Sequence, residues 1–222
     1  MSVKRVPVTD SIRYGWDTMR ANLGFFIVLL IVIFTVNAFF SVFSGLFENR
    51  LPIFSLVFSL GSLFASLVIN LVVIKIALKF CDNDRRGISE VISFDASLFF
   101  KFAAGYFLYV LIVAVGFLLL IVPGIIWIIK YQYVVYLIVD KGLGPVESLK
   151  RSSEITQGIK WELFGFLLLL GLINIAGALV FVIGLFATVP TTIVAMAWMY
   201  RKLSAPEGEF GINPFQSPGS AG

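Results

Sequence analysis

The chain has 222 residues, of which 59% are hydrophobic and only 14% charged, and its mean hydropathy is +0.98. A soluble domain normally carries about 25% charged residues, so this composition excludes an ordinary soluble fold and indicates an integral membrane protein. There is no histidine and only one cysteine, Cys81, which excludes an internal disulfide and leaves almost nothing for zinc binding or histidine-dependent catalysis.

The charge pattern argues against nucleic acid as a partner. The net charge is +4, but the basic residues flank apolar segments and do not form one patch, as expected for contact with anionic lipid. No signal peptide is expected, because Asp10 and Asp17 precede the first apolar run. A partial calcium-loop pattern after Cys81 has Arg86 where an oxygen ligand belongs, so it predicts a charged turn. We therefore expect no metal site, no cofactor and no catalytic site.

Six apolar runs follow one another along the chain, and a spanning helix needs about 20 predominantly apolar residues. The fourth and sixth runs are short, and Pro123-Gly124 is expected to end the third. The pattern predicts an all-α polytopic integral membrane protein with six transmembrane helices, arranged as three hairpins with amphipathic cytosolic helices. The predicted spans cover about residues 23–46, 53–78, 102–122, 125–139, 163–185 and 189–200.

Lysine and arginine positions predict the orientation of these spans. Basic residues concentrate before the first span, between the second and third, between the fourth and fifth, and after the sixth, whereas the three opposite loops are short and contain only Arg50. This distribution predicts that both termini are cytosolic. Residues 1–22 are then a cytosolic amphipathic segment, residues 23–203 the transmembrane domain, and residues 204–222 a disordered cytosolic tail.

The chain also suggests three copies of one unit. Each predicted hairpin turns outside at a proline, Pro52, Pro123 or Pro190, and follows a polar stretch that contains an acidic residue. A unit with an even number of spans keeps its orientation, unlike the inverted repeats of many transporters. The alternative is that any six-span chain with short outer loops looks periodic.

The fourth span contains the polar residues that most resemble a ligand site. A lysine near the centre of a span costs about 2.5–3.5 kcal/mol on insertion scales, and no acidic residue lies inside any predicted span. Helical spacing places Lys130, Tyr133 and Asp140 on one face, which favours an anionic head-group site. The alternative is an interfacial lysine within an aromatic belt. The candidate ligand or lipid-binding residues are Lys130, Tyr133, Tyr136, Asp140 and Asn174.

The connection after the fourth span predicts a cytosolic surface helix. Pro145 suits its first turn, and Gly158 suits the position after its end. Ser148 and Ser152 lie on one side, where small side chains would let the helix pack against the inner ends of the spans. The residues that we assign to structural motifs are Pro123, Gly124, Ser148, Ser152, Thr156, Gly158 and Pro190.

Several of these motifs together resemble a known family. They are the run from Ile121 to Ile126, the run from Tyr136 to Asp140, the spacing from Ser148 to Gly158, and the closing stretch from Val189 to Leu203. In this order they are similar to the uncharacterised six-span YciC-like proteins of bacteria. Those proteins are related to the membrane domain attached to some glycerophosphodiester phosphodiesterases. The resemblance covers about residues 80–203 and implies an all-helical inner-membrane protein. It brings no catalytic residues, because the phosphodiesterase is a separate soluble domain.

Three functional hypotheses follow from these observations. The leading one is a non-enzymatic protein of the bacterial inner membrane that binds anionic lipid or organises envelope lipids. Its partners would be membrane lipids and no nucleic acid. The second is a transporter or permease component for a small amphiphile. The third is an accessory subunit of a larger membrane complex, which would add other membrane proteins as partners.

Overall fold

The computed structural model describes residues 6–47, 52–82, 95–180 and 184–205. All regular structure in these ranges is helical, which confirms the predicted all-α class. Residues 83–94, which contain most of the calcium-like pattern and the acidic stretch before the third predicted span, lie outside the described residues, as do tail residues 206–222. The helices of the described ranges are α1 (Val8–Ala21), α2 (Leu23–Phe47), α3 (Pro52–Cys81), α4 (Ala96–Leu119), α5 (Ile121–Tyr131), α6 (Val134–Lys141), α7 (Pro145–Ile155), α8 (Lys160–Leu179) and α9 (Leu185–Ser204).

Five helical segments within the described residues are long and apolar enough to cross a membrane, as a multi-pass membrane protein requires. Helix α9, the sixth predicted span, is not among them. It contains Pro190 and three threonines, and its last turn carries Arg201 and Lys202, so its apolar stretch is short. The five segments are Leu23–Phe47, Ile53–Cys81, Ala96–Leu119, Ile121–Lys141 and Lys160–Leu179.

Buried residues concentrate at one end of the bundle. Helix α3 buries side chains between Leu71 and Leu78, and α9 buries seven of its ten residues from Val194 to Leu203. At the opposite end, none of the described side chains at positions 28–47 and 53–66 is buried, and the one buried residue of α2, Phe26, packs against Phe80 at the packed end. We call the packed end the basic end, because it carries Lys79, Lys101, Lys141, Lys150, Arg151, Arg201 and Lys202. We call the opposite end, formed by residues 28–66 of the α2–α3 pair, the apolar end.

Helix α1 runs along α9 and completes the basic end. The ring centroids of Tyr14 and Trp198 are 6.1 Å apart, and the Tyr14 hydroxyl donates to the carbonyl of Phe80 over 2.7 Å. Gly15 sits directly against the α9 backbone: a Cβ built on it would meet the carbonyl oxygen of Thr191. The amphipathic segment predicted at the amino terminus is therefore a packed part of the bundle over residues 8–21.

The prolines lie elsewhere than predicted. The chain leaves α4 at Leu120, whose backbone is extended, and Pro123 is already the third residue of α5. Pro52 likewise begins α3. Proline is tolerated there because the first backbone N–H groups of a helix have no intrahelical acceptor. Pro190 departs further, since it is the sixth residue of α9 and not part of a turn.

Close glycine contacts accompany the α4–α5 turn and the connection between α8 and α9. A Cβ on Gly116 would lie 2.9 Å from the Cα of Gly124, and one on Gly184 would lie 2.8 Å from the Cα of Gly177. Both pairs bring the departing and returning helix backbones together just beside the turn. Gly124 therefore serves a close helix contact, whereas the sequence analysis had placed it in the turn itself.

Candidate functional site

The fourth predicted span is broken in its middle. Helix α5 ends at Tyr131 and α6 begins at Val134, with Gln132 and Tyr133 in a turn between them. The helix predicted to hold Lys130, Tyr133 and Asp140 on one face is interrupted at this turn, so the three residues do not share one continuous helix. That prediction was wrong because it assumed an unbroken helix, and local propensity and hydropathy do not reveal the interruption.

Hydroxyl groups of α7 bind the backbone on both sides of the break. Ser152 Oγ donates to the carbonyl of Lys130 over 2.9 Å and accepts the N–H of Tyr133 over 3.3 Å. Thr156 Oγ1 lies 3.3 Å from the same carbonyl. Backbone groups freed inside a membrane need a replacement partner, and serine and threonine side chains commonly supply it. The Ser152–Thr156 motif therefore stabilises an interrupted span.

The ends of α7 place these hydroxyls. Pro145 is its first residue, and Gly158, with φ of 83°, lies just past its carboxyl end. The left-handed conformation at Gly158 turns the chain back toward α8, which begins at Lys160. Helix α7 buries Ser148, Ser152 and Ile155, which are the side chains that helical spacing places on one side.

The tyrosines of the predicted site form an internal cluster. The rings of Tyr133, Tyr136 and Tyr200 have centroid separations of 6.1, 5.9 and 5.5 Å. Tyr133 is fully buried and Tyr136 is 8% exposed, so both side chains lie largely inside the bundle. The sequence analysis had assigned both to a head-group site, and in the structure they pack against α9.

Asp140 belongs to an ion-pair bridge that the sequence analysis missed. Arg201 contacts Asp140 Oδ1 through one terminal nitrogen and Asp82 Oδ2 through the other, both over 2.6 Å. The Tyr200 hydroxyl donates to the second oxygen of Asp140 over 2.7 Å. One guanidinium thus joins the ends of α3, α6 and α9. No local pattern could have indicated it, because the three residues are far apart in the sequence.

The electrostatics keep this bridge charged. Partial burial acts against the charge of Arg201, which follows the apolar part of α9, but Asp140 and Asp82 outweigh it and raise the pKa of Arg201 above its ordinary value. Two carboxylates therefore stabilise the charged form of this one guanidinium.

Lys130 stands apart from this bridge. Its Nζ lies 5.0 Å from the centroid of the Tyr131 ring. Within the described ranges no carboxylate lies within ion-pair distance of it. Its side chain is partly exposed on a segment that is apolar enough to span a membrane. Of the predicted ligand residues, Lys130 alone combines a positive charge with access from outside the bundle.

Asn174 serves helix packing at a different place. Its Nδ2 donates to Thr192 Oγ1 and to the carbonyl of Leu170, both over 3.2 Å. The first bond links α8 to α9, which is how amides in spans usually bond. The structure therefore does not bring Asn174 together with Lys130.

Comparison of this chain with family models, with curated proteins and with solved structures finds no match. The resemblance to YciC-like proteins stays a prediction that depends on the quoted motifs. What the molecule does must be argued from its own geometry.

Proposed function

We propose that this protein is a non-enzymatic membrane protein that binds anionic lipid headgroups at its basic end, with Lys130 as the deepest cation. The observation that carries the proposal is that none of the carboxylates within the described ranges forms an ion pair with Lys130. It lies about 14 Å along the helix axis from Ile121, at 1.5 Å per residue, in a segment where charge is costly. A lipid phosphate would supply a counter-charge to Lys130, because Asp140 pairs with Arg201 and not with this lysine.

The surroundings of the basic end support the same proposal. Lys150 and Arg151 are exposed on α7, and Trp161, which is 84% exposed, follows at the start of α8. Exposed cations beside an exposed tryptophan are typical of a membrane–water interface on an anionic leaflet. We accordingly place the protein in a bacterial inner membrane, with α9 as a sixth span and both termini in the cytosol.

Lipid retention in detergent tests the proposal. The full chain is purified from membranes that contain phosphatidylglycerol, and bound lipid is counted by native mass spectrometry. Lys130→Leu should lose bound phosphatidylglycerol while keeping zwitterionic phosphatidylethanolamine. Lys130→Arg is the matched control, because it keeps the positive charge at the same position and should keep the bound phosphatidylglycerol.

Equal phosphatidylglycerol retention by the two variants would contradict the proposed role of Lys130. It would mean that this lysine only extends its ammonium group to the interface, as the alternative interpretation holds. Cysteine labelling at either terminus from outside intact cells would contradict the proposed orientation.

Transport of a small amphiphile is the second candidate function. The interrupted span favours it, because discontinuous helices form the substrate sites of many transporters. Under this hypothesis a polar path should reach Lys130. Water-soluble thiol reagents should then label a cysteine placed at Gln132 from one side of the membrane, and protection of that cysteine from both sides would argue against transport.

A further inference from the structure

Several buried polar groups at and near the break between α5 and α6 have no hydrogen-bond partner in the described part of the protein. Both amide atoms of Gln132, the Tyr133 hydroxyl and Ser148 Oγ are buried and have no hydrogen-bond partner within the described part of the chain. Gln132 is 8% exposed, and Tyr133 and Ser148 are 0% exposed. These side chains are uncharged, and each can both donate and accept hydrogen bonds.

The chain brings these groups to one region. Gln132 and Tyr133 are consecutive residues of the turn. Ser148 lies on the buried side of α7, one helical turn before Ser152. The two residues are therefore separated by about 6 Å along the helix axis. Ser152 itself bonds the backbone on both sides of the break. The unpaired groups therefore belong to the two residues of the turn and to a serine one helical turn from the hydroxyl that bonds it.

Buried polar groups in native proteins nearly always have a partner, and where the protein does not supply one, ordered water usually does. We infer that the α5–α6 break is an internal binding site for water, in which ordered molecules hydrogen-bond Gln132, Tyr133 and Ser148. Water fits this set better than an ion does, because all the side chains concerned are neutral. Of the charged groups, Arg201 binds two carboxylates through its terminal nitrogens, and the Lys130 ammonium lies 5.0 Å from the centre of the Tyr131 ring.

The site differs from the proposed lipid site in both place and chemistry. Lys130 is partly exposed and would bind an anion from outside, whereas the three neutral groups face the interior. Hydrogen-bonded water would also explain how the protein tolerates a glutamine at a position that an apolar residue could fill. Neither inference depends on the other.

Water-edited solid-state NMR on the full chain in phosphatidylcholine–phosphatidylglycerol vesicles tests the inference directly. Magnetisation from water should reach the Gln132 side-chain amide, and it should not directly reach the apolar core residues Leu163 and Val194, which are fully buried. Absence of transfer to Gln132 would overturn the inference. An organic molecule found at the break by density and mass spectrometry would overturn the assignment to water.

A matched pair of variants provides a second measurement. Gln132→Met keeps the side-chain length and removes the amide, and Gln157→Met makes the same change at an exposed position just past α7. If water binds Gln132, Gln132→Met should lower the thermal midpoint by about 2–4 °C, while Gln157→Met leaves it unchanged. An unchanged or higher midpoint for Gln132→Met would overturn the inference, because removing an amide that nothing binds is neutral or stabilising. If that variant does not fold, the NMR result on the unsubstituted chain decides.

Discussion

The apolar end and the basic end are built from the same kinds of helix but are held together differently. At the apolar end, α2 and α3 contact each other through phenylalanines, and Phe34 is 75% exposed. At the basic end, the side chains of α9 are enclosed by α1, α3, α6 and α8, and hydrogen bonds and ion pairs fix their positions. Lipid can solvate the first arrangement, whereas the second needs specific partners. We therefore expect substitutions at the basic end to lower the free energy of unfolding more than substitutions at the apolar end.

Loss of Arg201 should have the largest effect. Arg201→Met removes the guanidinium shared by Asp82 and Asp140, and it leaves Asp140, with a side chain 13% exposed, without its cation. The free energy of unfolding in mixed micelles should fall by about 3 kcal/mol. Arg151→Met is the control, because its pair with Glu154 is about half exposed on both sides and should contribute less than about 1 kcal/mol. Equal losses would mean that the bridge is as well solvated as a surface pair.

A methyl group added at the contact between α1 and α9 should have the second largest effect on the free energy of unfolding. A methyl group on Gly15 would meet backbone atoms of Thr191 and Ala195, which cannot move without shifting α9. Gly15→Ala should therefore lower the free energy of unfolding by about 1–3 kcal/mol. At Gly24 a Cβ would meet nothing within 4 Å, so Gly24→Ala should be neutral or slightly stabilising. If both variants behave alike, α1 does not pack against α9 in the membrane.

Removing one hydroxyl at the α5–α6 break should lower the free energy of unfolding somewhat less than the change at Gly15. Ser152→Ala leaves the carbonyl of Lys130 and the N–H of Tyr133 with a weaker set of partners, at about 1–2 kcal/mol. Hydrogen exchange at the Tyr133 amide should also become faster, which a simple packing change would not produce. Ser153→Ala, one residue along α7 and outside this contact, should leave both quantities unchanged.

A substitution at the apolar end should have the smallest effect. Phe34→Ala removes a large side chain that lipid already surrounds, so the free energy of unfolding should change by less than about 0.5 kcal/mol. Phe102→Ala, at a position 1% exposed, is the interior counterpart and should lose far more stability. A large loss at Phe34 would indicate that another protein, and not lipid, covers α2.

Much of the fold could be predicted because hydropathy and helix signals are local. The first five apolar runs correspond to helices long enough to span a membrane, and Pro145 and Gly158 bound α7 closely. The turn at Pro123 was misplaced because proline is equally acceptable in a turn and inside the first turn of a helix, whereas Pro190 lies deeper, as the sixth residue of α9. A sequence pattern alone cannot separate these two positions.

The candidate site could be predicted only in part, because its contacts are long-range. Lys130 was conspicuous as a cation in an apolar run. The break beside it depends on hydroxyls of Ser152 and Thr156, which lie about 20 positions further along the chain. The pairing of Asp140 with Arg201, and not with Lys130, likewise depends on how α6 meets α9. Tertiary packing determines both the position of the break and the partner of Asp140, and local sequence periodicity does not reveal either.

The contact between α1 and α9 has a consequence for the order of assembly. Gly15 and Thr191 come from opposite ends of the described chain, so a ribosome makes α1 long before its binding surface exists. Until α9 has been synthesised, α1 must lie at the membrane–water interface or bind another protein, and the face of α1 that contains Tyr14 lacks its contact with α9. Closure of the bundle is therefore a late event, and a nascent chain stalled before α9 should be the form that membrane chaperones and proteases recognise.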